Sequence, residues 1–471
     1  MSFRFIRDLL ESVLSGEQEE TNSDVGNISW YLRLRNGFFY LINRPFLRNV
    51  SIVALGPMVS QTLSILFSPI ITRLYGPSEF GALGVFLSVL SVLVPISNLS
   101  YSYAIIMPKK EVDGLKILRF CLIFGLIISL FSLVIIVLLN EPITTLLKFE
   151  GYSKYLYLLP LALLFSNSAI IFDQWIVRRK KFKTSSVISI SQSLLSNGSL
   201  IGLGYLAPHF ASLIGVNVLS RGYHAIASFF GSGVLSGVRD QKSEREEKSP
   251  GKKLGDLLKE YRDFPFYRTP QILISTLSYN LPIMLMSGFF GTEAAGYYSL
   301  AHRVLKLPSI IISDSVGKVF QQHATETAQK GSSLQPLIIK TTLLLAFIGA
   351  VPLGLIILFG PFLFSFVFGA EWYQAGLFAR WVAIWVLVTF ISVPVVVATP
   401  LLELQKQYLV FEVVSLFLSI ISLVIGFVVL ENSLVAVALF SITNAILIAL
   451  FVIFVVMKSK DRNRFQMVES K

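Results

Sequence analysis

The sequence predicts an all-α polytopic membrane protein: about twelve transmembrane helices in two six-helix lobes, related as a parallel repeat around a central cavity. Three observations lead there: long apolar runs, a one-sided distribution of basic residues, and an internal repeat. Of 471 residues, 54% are hydrophobic and 14% charged. Soluble domains run roughly 45–50% apolar and 25% charged. Apolar runs of spanning length follow one another from Asn49 to Val456. Crossing a hydrocarbon core takes about 20 such residues. Inside that core every backbone N–H and C=O must bond within the segment, so the runs must be helices. The alternating, roughly ten-residue segments of a membrane β-barrel are not seen.

Spans are expected near 49–72, 80–106, 116–139, 155–177, 185–206, 211–235, 265–290, 295–319, 336–360, 374–400, 407–430 and 433–457. With a cytoplasmic N-terminus, 33 of the 40 Lys and Arg fall on the inside and 3, Arg73, Lys148 and Lys154, on the outside. That asymmetry predicts an even span count with both termini cytoplasmic. The net charge of +12 is therefore mostly a topology signal. Nucleic-acid binding is not needed to explain it.

The halves repeat. Thr62-Leu63-Ser64 recurs as Thr276-Leu277-Ser278, and Pro69 and Pro95 recur as Pro282 and Pro308. Tyr75-Gly76 with Gly81 recurs as Phe290-Gly291 with Gly296. Offsets of 213 to 215 residues across six spans insert both copies the same way up, an arrangement used by transporters. The domains follow: an N-terminal extension over 1–48, an N-lobe over 49–236, a cytoplasmic linker over 237–262, a C-lobe over 263–457 and a basic cytoplasmic tail over 458–471. Within the extension, Phe3, Ile6, Leu10, Val13 and Leu14 share one helical face, which suits a helix lying at the membrane interface. The extension has no clean apolar core followed by a small-residue cleavage site, so no cleavable signal peptide is expected.

No catalytic site is expected. A Walker A motif is lacking. The four His residues, His209, His224, His302 and His323, and the single Cys121 have no metal-ligand spacing, so neither a metal nor another cofactor is expected. The informative residues are charges inside spans, because a buried charge costs at least ~2.5–3.5 kcal/mol in a bilayer. Arg221, Arg303, Lys306 and Arg380 are such cations. Arg303, Lys306 and Asp314 lie on one helical stripe, which should face the central cavity. Asp314 is the candidate coupling or pairing acid. Arg221 lies mid-span with His224 one turn on. Arg380 is about two turns from the outer end of its span. Asp173 and Glu412, near cytoplasmic ends, are expected to be solvated. A cationic lumen suits an anionic cargo, since a guanidinium grips phosphate oxygens in pairs. Tyr279, Tyr297, Tyr298 and Trp385 are candidates for stacking on sugar rings.

Five stretches carry a family resemblance. They are Ser68-Pro-Ile-Ile-Thr-Arg-Leu-Tyr-Gly-Pro-Ser-Glu-Phe-Gly81, Ala104-Ile-Ile-Met-Pro-Lys-Lys110, Gln174-Trp-Ile-Val-Arg-Arg-Lys-Lys-Phe-Lys183, Gly296-Tyr-Tyr-Ser-Leu-Ala-His-Arg-Val-Leu-Lys-Leu-Pro308 and Glu371-Trp-Tyr-Gln-Ala-Gly376. The chain resembles the polysaccharide (O-antigen type) flippases of the multidrug/oligosaccharidyl-lipid/polysaccharide exporter superfamily, over residues 49–457. The resemblance implies a multi-pass protein of the bacterial inner membrane. It would move an undecaprenyl-diphosphate-linked oligosaccharide to the outer leaflet by alternating access. Membrane lipids, polysaccharide polymerase and glycosyltransferase machinery are the implied partners. Arg303 matches the arginine of the family's eighth-span motif. One departure is that such flippases often carry an Arg and a Glu before Ala104, where this chain has Ser100 and Ser102. The alternatives are a drug/cation antiporter of the same superfamily, which would use N-lobe acids, and a membrane polymerase or ligase, which would need a large outer loop. The first expected span has no acid, and the outer loops are short.

Overall fold

The structure is a computed structural model that describes residues 45–234, 251–329 and 332–469. The expected interfacial helix within 1–48 lies outside the described residues, apart from the start of the first helix at Pro45. Long helices run in chain order: α1 (Pro45–Leu74), α2 (Pro77–Asn98), α3 (Glu111–Leu146), α4 (Leu159–Arg178), α5 (Phe182–Leu206) and α6 (Phe210–Ser232). After a short α7 (Leu254–Glu260) come α8 (Thr269–Phe290), α9 (Thr292–Gln329), α10 (Gln335–Phe368), α11 (Tyr373–Ile391), the short α12 (Val393–Ala398), α13 (Gln405–Val424) and α14 (Ser433–Glu469). Each of the twelve expected spans coincides with a helix. Among the described residues, eight helical segments are long and apolar enough to cross a membrane. The other four expected spans fall on α1, α5, α6 and α9. The serines of α5 and the charges of α9 lower their apolar character.

The helices turn apolar side chains outward. On α3, Ile123, Ile127, Leu130, Phe131, Val134 and Leu138 are exposed, and on α10 Phe347, Val351, Leu358, Phe362 and Phe366 are. Water would penalise such stripes, and lipid does not. The protein is a multi-pass membrane protein, and these apolar faces suit contact with lipid.

By packing, the described residues divide into two compact units, one ending at Ser299 and the other starting at Leu300. In the first unit, α8 packs along α2. Part of the expected 237–262 linker is built into this unit. Residues 254–260 form α7, Leu257 enters a cluster with Tyr101, Leu115, Leu118 and Trp175, and the Tyr101 hydroxyl donates to the Leu258 carbonyl at 3.0 Å. Two of the stretches that carry the resemblance are tied together here. Arg178 donates to the carbonyls of Ile105, Ile106, Pro108 and Lys110 at 2.6–3.1 Å, and Arg179 pairs with Glu111. In the second unit, Phe320, Ile338, Val395, Leu402 and Phe451 anchor one core cluster.

Gly81 and Gly296 pack backbone to backbone. A Cβ on Gly81 would strike the Thr292 carbonyl and come within 2.7 Å of the Gly296 nitrogen. A Cβ on Gly296 would strike the Pro77 carbonyl and come within 3.0 Å of the Gly81 nitrogen.

Candidate functional site

The first unit holds a cavity of about 440 Å³ whose polar lining includes Asn98, Ser100, Ser102, Asp173, Arg221 and His224. It is positioned by α2, α4, α5 and α6. The C-terminal half of α2, from Leu87 to Asn98, supplies one wall. Leu99 and Ser100 then adopt left-handed φ of 48° and 58°. Such a conformation costs about 1–3 kcal/mol at a non-glycine residue and persists only when its surroundings fix it. Here Asn98 fixes it. Its Oδ1 accepts from the Ser100 N–H at 2.9 Å and the Ser102 hydroxyl at 3.3 Å, and its Nδ2 donates to Asn167 Oδ1 at 3.0 Å. Thr269 of α8 donates to the Ser100 hydroxyl at 2.9 Å. Ser100 and Ser102 thus belong to a neutral hydrogen-bonded network.

The opposite wall is cross-linked with a seven-residue period. Arg221 Nη1 donates to the Ser166 hydroxyl at 3.0 Å, and the Ser228 hydroxyl donates to Asp173 Oδ1 at 2.7 Å. Both links join positions 55 apart in α4 and α6, so the helices run parallel and in register. Between them His224 Nε2 meets Asp173 Oδ2 at 2.9 Å, and His224 Nδ1 meets Gln192 Oε1 of α5 at 2.6 Å. Asp173 was expected to be solvated at a cytoplasmic helix end. It lines the cavity instead, because its two carboxylate oxygens are held by His224 and Ser228 of α6. The sequence carried a signal for this: Ser166 with Asp173, and Arg221 with Ser228, are each seven apart on adjoining helices. Single-helix reading does not pair them.

In the second unit, α9 carries Arg303 and Lys306 one turn apart. Arg303 is exposed and forms no hydrogen bond or ion pair among the described residues, while Lys306 is half-buried. His302, the residue before Arg303, is buried and stacks on Trp385 with ring centroids 5.7 Å apart, and Trp385 meets Phe440 edge-on at 5.1 Å. One face of α9 is thereby held in the core while Arg303 stands off it. Trp385, a candidate sugar platform, is engaged in this stack. Of the other candidate platforms, Tyr298 is buried, and Tyr297 donates to Glu293 at 2.5 Å. The side chain of Asp314 lies outside the described residues. Arg380 donates its Nε–H to the Ile357 carbonyl of α10 at 2.8 Å, which gives it a role inside its own unit. Glu412 of α13 is half-buried. Among the described residues no cluster of His, Cys, Asp and Glu has the geometry of a metal site.

Comparison with known proteins gives consistent results. Residues 70–377 match the family model described as "Polysaccharide biosynthesis protein". The succinoglycan biosynthesis transport protein ExoT of Rhizobium meliloti (strain 1021) is 23% identical over 337 residues, covering 70% of this chain and 63% of its own length. The teichuronic acid biosynthesis protein TuaB of Bacillus subtilis (strain 168) is 28% identical over 173 residues, covering 34% of this chain and 36% of its own length. The match thus spans less than two thirds of either relative. Among solved structures, an inward-facing multidrug resistance MATE family transporter of the MOP superfamily aligns with a TM-score of 0.67 at 14% identity, covering 85% of this chain and 95% of that one. The lipid II flippase MurJ in an inward closed conformation aligns with a TM-score of 0.53 at 16% identity, covering 87% and 86%. At these identities the likeness is one of fold.

Proposed function

Because the chain belongs to the polysaccharide biosynthesis protein family, we propose that it is a flippase moving an undecaprenyl-diphosphate-linked oligosaccharide from the cytoplasmic to the outer leaflet by alternating access. In this reading all twelve helices span the bacterial inner membrane as six and six, with cytoplasmic termini, and the chain works alongside a polymerase and glycosyltransferases that make and use its cargo. The observation that carries it is Arg303. A guanidinium in the middle of a span, exposed and without a partner among the described residues, faces either lipid or a water-filled path. Lipid would cost it at least ~2.5–3.5 kcal/mol, so a path is favoured. A diphosphate between lipid and sugar is the anion such a path would receive, and the planar fork of Arg binds it through two parallel bonds. Lys306, one turn on, adds a second charge. Arg221 lends its charge to the cavity of the first unit. Arg380 belongs to helix packing.

The test is expression in a strain lacking its own flippase, with surface glycan measured against the amount of membrane-inserted protein. Restored glycan is expected. Unrestored glycan at normal insertion, together with raised resistance to cationic drugs, would replace the flippase by an antiporter.

A further inference from the structure

We propose that Asp173, His224 and Gln192 form a proton-binding clasp: one proton, taken from the cavity, bonds Asp173 of α4 to a His224 ring that Gln192 of α5 holds in place, and its loss breaks that α4–α6 bond. The argument is one of donors and acceptors. Gln192 Nε2 donates to the Ser220 carbonyl at 3.3 Å, which fixes the amide orientation and turns Oε1 toward His224. An amide oxygen only accepts, so His224 Nδ1, 2.6 Å away, must carry a hydrogen. The other ring nitrogen, Nε2, lies 2.9 Å from Asp173 Oδ2. With Nδ1 already protonated, a neutral imidazole offers a lone pair at Nε2, and a carboxylate offers another. These repel. The 2.9 Å bond exists only when a further proton lies between them, as imidazolium with carboxylate or as imidazole with carboxylic acid. The second carboxylate oxygen is occupied by the Ser228 hydroxyl, so the group has no slack to turn toward another donor.

The clasp is reachable. The His224 and Asp173 side chains keep 14% and 34% of their surface, and both line the 440 Å³ cavity. The other charged or titratable side chains on that lining are Arg221 and Tyr103. Arg221 is bonded to Ser166, and Tyr103 lies under the Arg268 guanidinium. Groups on the packed helices are engaged elsewhere. Arg178 binds four carbonyls, Arg179 pairs with Glu111, Lys181 reaches the carbonyls of Gly231 and Ser232, and Lys116 faces Asp113. On α2 the acid is Glu79, in the first turn, at the helix end far from Asn98. The proton therefore sits between one acid and one base. A metal ion would find only one carboxylate there, with both oxygens already bonded. Intramembrane acid–histidine pairs of this kind serve as proton relays in pumps and transporters. The clasp itself is independent of the flippase reading.

The experiment uses the full-length protein in liposomes with ¹⁵N-labelled histidine. The chain has four histidines, and His224→Gln assigns the resonance. The wild type is expected to show Nδ1 protonated throughout and a single proton leaving the Nε2–Asp173 bond as pH is raised. Asp173→Asn removes the acid that shares the proton, so its Nε2 should respond to pH differently from the wild type. Gln192→Leu, which keeps the carboxylate, should free Nδ1 and disturb the same resonance. His224 behaving identically in the wild type and in a folded Asp173→Asn variant would overturn the clasp. So would displacement of the proton by sodium at fixed pH. A proton that titrates as described in a protein that moves no glycan would leave the clasp standing and remove the flippase reading instead.

Discussion

Gly81 and Gly296 touch each other, and they are 215 residues apart. So are Pro77 and Thr292, the residues whose carbonyls each glycine would strike if it had a side chain. Equivalent residues meeting reciprocally is what a two-fold relation between sequence repeats requires at its axis. The contact gives a structural counterpart to the repeat read from Tyr75-Gly76 and Phe290-Gly291.

Neither glycine has a flexible neighbour to push aside, because the atoms in the way are backbone. Gly81→Ala and Gly296→Ala should each cost about 1–3 kcal/mol, as overpacking generally does. Both changes pry open one contact, so the double variant should lose less than the sum. Thermal unfolding of the purified protein in detergent measures this. Strictly additive losses would mean that the two glycines do not share a contact.

A second relation is local chemistry. Pro361 lies in α10 and has no N–H, so the Ile357 carbonyl four residues earlier loses its helical donor. Arg380 Nε–H takes that carbonyl at 2.8 Å, from a helix drawn close by the Gly360–Gly376 crossing, where a Cβ on Gly360 would lie 2.7 Å from the Gly376 carbonyl. Arg380→Ala should cost about 1–3 kcal/mol by stranding an acceptor. In a Pro361→Ala background, where the backbone N–H returns, the same change should cost little. Equal losses in both backgrounds would show that Arg380 acts elsewhere.

These two relations show what the sequence could and could not tell. Apolar runs locate helices because hydrocarbon leaves no alternative for the backbone, so every expected span falls on one. The correspondence of Gly81 with Gly296 was legible because Pro and Gly mark backbone geometry. The mate of a charge was not. Arg380 binds a carbonyl exposed by a proline nineteen residues away, and Asp173 finds His224 on another helix. Pairing across helices depends on register, which no single-helix pattern encodes. Serines at 100 and 102 looked like a missing charge pair. The left-handed turn that Asn98 holds there could not be foreseen from residue type.

Topology can be checked cleanly because the one cysteine, Cys121, is buried and can be changed to Ser. In that background, Cys introduced at the exposed Lys154 should react with a membrane-impermeant maleimide in intact cells. Cys at the exposed Lys259 in α7 should react only after the membrane is opened. The basic asymmetry dictates this assignment. Labelling of position 259 from outside would invert the protein and put the linker on the wrong face.

Arg303 decides the cargo question, and two substitutions separate charge from shape. Charge-assisted hydrogen bonds contribute about 1.5–3 kcal/mol, so removing them should weaken cargo binding roughly 10- to 100-fold. Arg303→Ala should therefore nearly abolish surface glycan in the complemented strain while the protein still inserts. Arg303→Lys keeps the charge but loses the fork, so it should recover only part of the activity. The fold supports normal insertion of both. The neighbouring His302 is stacked on Trp385 and holds α9 in its unit, whereas Arg303 is exposed and bonds to nothing among the described residues. A structural arginine would behave differently: its alanine variant would fail to accumulate, and lysine would restore protein and glycan together. Near-normal glycan per inserted molecule with Arg303→Ala would take this residue out of the cargo path, and with it the observation on which the proposed function rests.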